Sequence, residues 1–448
     1  YWHAQELLDR GRGCLFNFGD DQQLSSILLN LLDDPESMHK MRRRAFRYGQ
    51  EITWPRIGEK YIALAENILE DNNNSPRRND TIFDPLLLPE FSLDHIKRMT
   101  DDTGIIQHAK YGIPNLKEGY CLDDNARALL MLTMAYQQKK LPLTLDLMPV
   151  YLSYIHYMQN PDGSFRNFLS FSRQFLDERG SEDSFGRAIW AVGQTMVHPP
   201  NDSYYQAARE IFLAALPYFD QVQSIRGIAN TIIGIVCYLK TAPADLGMQE
   251  RLRKMSYLLV DRFNATQTPQ WKWFEPVMTY DNAILPLSLL HAATVLNDEA
   301  ITSVAMESMQ FISGITLKNG YLSVIGNEKW YTMDGEPSAF AQQPLDVMAM
   351  VLLFQKAYEV TGEKTHLDNM YTCFMWFLGE NDLRMGLYDH ETKGCCDGLE
   401  SYGVNRNQGA ESTLAYLVSH LAVLQTLNDA YTSVDTAAVP ATTPAGVL

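Results

Sequence analysis

The chain has 448 residues and 46% hydrophobic content, enough for one large core plus a lesser unit. A formal net charge of −17 removes the basic face that a nucleic acid or anionic membrane would need, and no apolar run reaches the length of a membrane span, so neither partner is expected. Cys14, Cys121, Cys237, Cys373, Cys395 and Cys396 show no CxxC or Cys/His zinc spacing, so no metal is expected and a reduced, cytoplasmic setting is the simplest reading. The adjacent pair Cys395 and Cys396 reads as two ordinary thiols. There is no signal-peptide pattern and no initiator methionine at Tyr1, so an upstream segment is allowed for.

Residues 1–69 differ in style from the rest. RGRGCLFNFGD predicts a turn, a short strand and a loop. DQQLSSILLNLLDD predicts an amphipathic helix with Leu24, Ile27, Leu28, Leu31 and Leu32 on one side. Pro35 starts a second helix, whose RRR run reads as a solvated face, and ITWPRIGEKYIALAENIL is a third. One strand and three helices do not complete a domain. The strings YWHAQELLDRGRGCLFNFGDDQQLSSILLNLLDDPE and MRRRAFRYGQEITWPRIGEKY resemble the C-terminal end of a retaining GT-B glycosyltransferase of the mannosyltransferase type. The resemblance implies a Rossmann-like remnant. That family's sugar-nucleotide site needs an upstream Glu-bearing motif and a whole N-terminal domain, which this chain does not contain. By itself it is therefore not expected to transfer sugar from a nucleotide donor.

Residues 70–82, with EDNNNSPRRNDT, read as a linker. Six later segments share one design: a polar start, then a long apolar helix. They begin at Cys121, Ser181, Ile225, Thr279, Gln342 and Asn407, at spacings of about 60, 44, 54, 63 and 65 residues. Each gap holds a more polar helical stretch. Helices apolar nearly all round must be buried. Six of them, each returned by an outer helix, predict an all-α fold over 83–431, an (α/α)6 toroid with inner helices starting near 123, 183, 226, 281, 344 and 408. This stretch also resembles the α/α-toroid module fused behind such transferases in bacteria, through GYCLDDNARAL and DGLESYGVNRNQGAEST. The Ala/Thr/Pro-rich end, 432–448, is expected to be disordered.

The polar starts gather at one mouth of such a ring. Asp124, Asp183, Glu275 and Asp281 are the acid/base candidates. Asp123, Arg226, Asp346, Asn405, Arg406 and Glu411, with His108, Trp271, Trp273, Tyr280 and Tyr402 from the loops, are the substrate-binding candidates. Carboxylates and amides hydrogen-bond vicinal hydroxyls, aromatic faces stack on sugar rings, and a carboxyl pair can do glycosidic chemistry. Asp124, Asp183, Asp281 and Asn405 are expected to line one cavity, with a Trp and Tyr402 at its wall. The bland alternative is that these acids cap helices or pair within them, as Asp124/Arg127 and Asp183/Arg187 would. The segments 162–175 and 319–340 read as small hairpins, and 383–412 as a long functional loop.

No P-loop, GxGxxG, GxSxG or HExxH occurs, so no cofactor is expected; His291 is a lone histidine. The leading expectation is a carbohydrate-active toroid that hydrolyses or phosphorolyses a glycoside, with a mannoside indicated by its transferase-like neighbour. The alternatives are a non-catalytic glycan-binding or scaffold module and a sugar epimerase. The last would want a pair of cavity histidines, and no clear pair is present. Oligomeric state is not legible.

Overall fold

The computed structural model describes residues 2–74, 88–317 and 319–437. It divides into two compact units, Tyr1–Asp80 and Thr81–Leu448.

In the first unit, α1 spans Trp2–Leu8, α2 Asp21–Asp33, α3 Pro35–Glu51 and α4 Trp54–Asn74. Asp20 caps α2 and Asp34 caps α3, each accepting a backbone N–H from the first turn, and Pro35 sits where a missing N–H costs nothing. The short strand expected in RGRGCLFNFGD does not form: residues 13–17 are irregular, and no other strand occurs among the unit's described residues to pair with it. The linker was expected from 70, but α4 continues to Asn74; residues 75–82 lie outside those described. Arg42, Arg43 and Arg44 are exposed, as a solvated face should be. No described side chain in this unit is buried, and Leu32 and Trp54 are 71% and 84% exposed.

The second unit begins with the short α5 (Asp94–Met99). Then inner and outer helices alternate in chain order. Inner α6 (Leu122–Lys139) is followed by outer α7 (Pro142–Met158). Inner α8 (Glu182–Val197) precedes outer α9 (Asp202–Phe219), and inner α10 (Ile225–Thr241) precedes outer α11 (Leu246–Thr266). Inner α12 (Ile284–Leu296), outer α13 (Glu299–Thr316), inner α14 (Pro344–Thr361), outer α15 (Lys364–Met375) and inner α16 (Ala410–Ala437) complete the series. Each inner helix packs on the next, and α16 packs on α6, so the ring closes. The fold is the (α/α)6 toroid the apolar periodicity predicts. In α10 every residue from Ile225 to Leu239 is buried. The helix expected near 281 starts at Ile284, because Asp281–Ala283 form a turn. At the other end, the backbone of α16 stays helical through Ala437, where disorder was expected from 432; residues 438–448 lie outside those described.

The backbones of α8 and α10 approach closely. A methyl group on Gly193 would lie 2.8 Å from the Gly234 carbonyl oxygen, and one on Gly227 would lie 2.7 Å from that of Glu182. Glycine at these positions lets the two helices pack backbone to backbone along their length.

Short antiparallel pairs dress the helix-start face: β1 (Ala109–Lys110) with β2 (Ile113–Pro114), β3 (Tyr120–Cys121) with β4 (Phe168–Leu169), β5 (Val277–Met278) with β6 (Tyr331–Thr332), and β7 (Gly398–Glu400) with β8 (Gly403–Asn405). The hairpins expected within 162–175 and 319–340 close on themselves, with Leu169 bridging Phe175 and the Ser338 N–H donating to the Trp330 carbonyl, and they also pair outward. Each gives a strand to the segment entering an inner helix, with Tyr120 opposite Leu169 and Met278 opposite Tyr331. That pairing buries Leu169 and Met278 in the core. The 383–412 loop carries the hairpin β7–β8. All six cysteines are unpaired, and no described helix is long and apolar enough to cross a membrane.

Candidate functional site

Small side chains, not the acids, cap the first inner helices. Ser181 accepts the Ser184 N–H on α8, Ser224 that of Gly227 on α10, and the Cys121 sulfur that of Asp124 on α6. The acids behind them are free to reach sideways. Glu182 accepts the backbone N–H groups of Gln223 and Ser224 at 2.6 and 2.5 Å. Asp183 accepts the Ser224 hydroxyl at 2.6 Å and the Tyr280 hydroxyl at 2.5 Å.

Three buried arginines bind these starts together. Arg127 pairs with Asp123 at 3.0 Å, Asp124 at 3.2 Å and Glu411 at 2.8 Å. Arg187 pairs with Asp123 at 2.7 Å and Asp281 at 2.9 Å, linking α6, α8 and the turn before α12. The within-helix pair expected between Asp183 and Arg187 is replaced by these longer-range ones, because ring closure puts stronger partners in reach. Arg226 donates to the Tyr280 carbonyl, Thr279, Asn282 and Glu275, with its guanidinium 4.5 Å from the Tyr280 ring centre.

The carboxyls do not share one protonation state. Burial works to raise Asp123, but the Arg127 and Arg187 guanidiniums hold it below the usual carboxylate range. Burial raises its neighbour Asp124 to about 7, against the pull of Arg127 and with help from Glu411 and Asp123. Asp124 Oδ2 also receives the Cys121 S–H at 3.1 Å. Burial lifts Asp281 too, in spite of Arg187, and lifts Asp346 to about 8. Asp281 has φ +45°, a left-handed conformation that Asp tolerates better than most residues. Its Oδ1 has no hydrogen-bond partner and borders a cavity of about 10 Å3, room for one water, beside Arg127, Arg187 and Trp190. The backbone N–H groups of Asp281 and Asn282 face Asp346 from behind.

Beside this network opens a cleft of about 510 Å3, lined by His108, Lys110, Tyr111, Asp397, Asn405 and Arg406. Asp397 accepts the Gly409 N–H at 2.7 Å; burial raises its carboxyl, and it feels the charges of His108 and Glu411, which ties the cleft to Arg127.

The expected single cavity is therefore divided. Asp281 borders the water-sized void and Asn405 the large cleft, while Asp124 and Asp183 line neither. Trp271 and Trp273 are not wall residues: they are 2% and 0% exposed and pack on Phe311 and Phe274, filling the loop layer. Tyr402 is 83% exposed at the β7–β8 turn. The loops leading into the inner helices instead expose Tyr111, Phe171 and Trp330. Arg226, expected as a substrate ligand, has every side-chain nitrogen engaged by protein. His291 is half-buried on α12, its pKa driven well down by desolvation. Sequence reading missed the linking roles of Arg127 and Arg187, although their spacing after DD and ED was visible, and missed Asp397, which only its place in the long loop marked.

No protein-family model matches the sequence, and no curated protein matches it. Solved structures of similar fold include the cellobiose 2-epimerase of Bacillus thermoamylovorans, at 12% identity and TM-score 0.60, covering 75% of this chain and 96% of that one. A D-mannose isomerase aligns at 13% identity and TM-score 0.55, over 74% of this chain and 94% of its own. The GH76 α-mannanase of Bacteroides thetaiotaomicron aligns at 11% identity and TM-score 0.52, over 75% and 94%. At this identity the likeness establishes the α/α toroid.

Proposed function

We propose that the toroid processes a glycoside at its helix-start face, with Asp124 as the acid and Asp123 as its ionised partner. The observation that carries this is the split between two consecutive carboxyls, one held ionised by two arginines and one raised to about 7. A pair of carboxyls driven to opposite protonation states at one pH supplies the protonated member that acid-assisted cleavage of a glycosidic bond needs; because Asp124 lines neither cavity, the reading also requires the helix-start face to open onto it. Similar folds in enzymes named for cellobiose, mannose and mannan support a sugar substrate. Asp183, Glu275 and Asp281 then act as positioning residues, because each is engaged across helix starts. The six free thiols support a reducing, cytoplasmic setting. Residues 1–69 remain our proposed remnant of a mannosyltransferase-type GT-B fold on the strength of the motif quoted above.

The test is product analysis after incubation with a panel of mannosides and glucosides, with and without phosphate, beside an Asp124→Asn control. Release of a free or phosphorylated sugar by the wild type alone supports the reading. A second reading, glycan binding without chemistry, is favoured by one observation: the void that Arg127, Arg187 and Asp281 line admits only a water. It becomes the better one if the wild type binds a glycoside and turns none over. The epimerase alternative asks for two bases at the sugar, and among the described residues lining the large cleft His108 is the sole histidine.

A further inference from the structure

The large cleft has a charge opposite to that of the chain. In a protein of net charge −17, the cleft wall brings together Lys110, Arg406 and His108. Among the described residues neither Lys110 nor Arg406 forms an ion pair, whereas Arg127, Arg187 and Arg226 nearby are all engaged. The acid of the cleft, Asp397, is turned to protein, accepting the Gly409 N–H, with Ser412 as a second hydrogen-bond partner.

The amides complete the pattern. Asn405 Oδ1 accepts the Asn407 N–H at 3.2 Å, and Asn407 Oδ1 accepts the Tyr111 N–H at 2.9 Å. A backbone N–H demands an oxygen, so both side-chain amides are fixed in one orientation, and each NH2 group is left as the free end. Tyr111 adds a hydroxyl. The wall is thus made of free cations and free donors, and its one carboxyl is occupied. That set suits an oxyanion with several acceptor oxygens.

We propose that this cleft binds a phosphoryl group, carried by a sugar phosphate or present as inorganic phosphate beside the sugar. The proposal rests on the glycoside reading for the sugar, but its anion-binding core stands on the cleft alone. Two cations on flexible stems with two amide donors would hold three phosphoryl oxygens.

Titration calorimetry on the full chain tests it with five probes: inorganic phosphate, sulfate, mannose 1-phosphate, mannose 6-phosphate and mannose. We expect at least one phosphorylated probe or phosphate itself to bind at least about tenfold tighter than mannose, the weight of one charge-assisted contact. Lys110→Gln and Arg406→Gln should each lower that affinity about tenfold and weaken its salt dependence, with unchanged circular dichroism. Phosphate as the tightest probe points to a free phosphate co-substrate; a mannose phosphate as the tightest points to a phosphorylated sugar. Equal binding of mannose and its phosphates, unchanged affinity in both variants, or sulfate binding as tightly as every phosphorylated probe overturns the proposal. Failure of the glycoside reading is separately visible: the binding result does not depend on turnover.

Discussion

Arg187 and Asp281 lie 94 residues apart in the chain, yet the guanidinium Nη2 donates to the carboxylate Oδ2 at 2.9 Å, with side chains only 8% and 2% exposed. This contact joins α8 to the turn before α12. A buried pair of this kind is costly to break by removing one partner. Arg187→Ala leaves Asp123 with one ion-pair partner and Asp281 with none in direct contact. We expect a loss of roughly 3–5 kcal/mol in urea denaturation. Asp281→Asn should lose less, since Asn tolerates the left-handed backbone and Arg187 keeps Asp123. Equal losses for the two variants would show that the turn, not the charge, is what matters.

The pair Asp123 and Asp124 makes a prediction about rate. If Asp124 is the acid, glycoside turnover falls as pH rises through about 7, because only the protonated form donates. Asp124→Asn should remove this limb and lower turnover by about 10²–10⁴-fold, with the melting curve preserved. A basic limb that survives the substitution assigns the proton to another group.

Asp346 predicts a pH effect on stability. Its folded pKa of about 8 lies above the ordinary 3.8, so the folded state holds the proton more tightly than the unfolded chain. Its contribution is fully present below pH 4 and lost as pH rises through 8. Asp346→Asn keeps the neutral shape. Its stability relative to wild type should therefore improve between pH 5 and pH 9, read by chemical denaturation at both. A constant difference would mean that Asp346 is ionised throughout.

The glycine contact between α8 and α10 has its own test. Gly193→Ala puts a methyl group 2.8 Å from the Gly234 carbonyl oxygen, and we expect about 1–3 kcal/mol of destabilisation from overpacking. Gly314→Ala, in α13 where a methyl meets nothing within 4 Å, should instead stabilise by roughly 0.5–1 kcal/mol. If both are neutral, the helices have room to separate.

The sequence by itself determined the toroid and the face on which its polar residues gather. Both are written in local order: an apolar run too wide for a one-sided helix must be buried wherever it lies, and a polar start marks its N-terminal end. The spacing of DD and ED before Arg127 and Arg187 was equally visible. Tertiary structure alone decided what those residues touch. Arg187 reaches Asp123 and Asp281 because ring closure sets three helix starts side by side, a distance no spacing along the chain encodes. Trp271 and Trp273 read like a sugar platform, yet they are buried and Tyr402 is exposed, because burial of a loop aromatic depends on which helices it lands between. The split of the expected cavity into a water-sized void and a large cationic cleft has the same cause. Volume belongs to the closed ring and its loops together, and so do the pKa values of Asp124 and Asp346, which follow from desolvation that only packing creates.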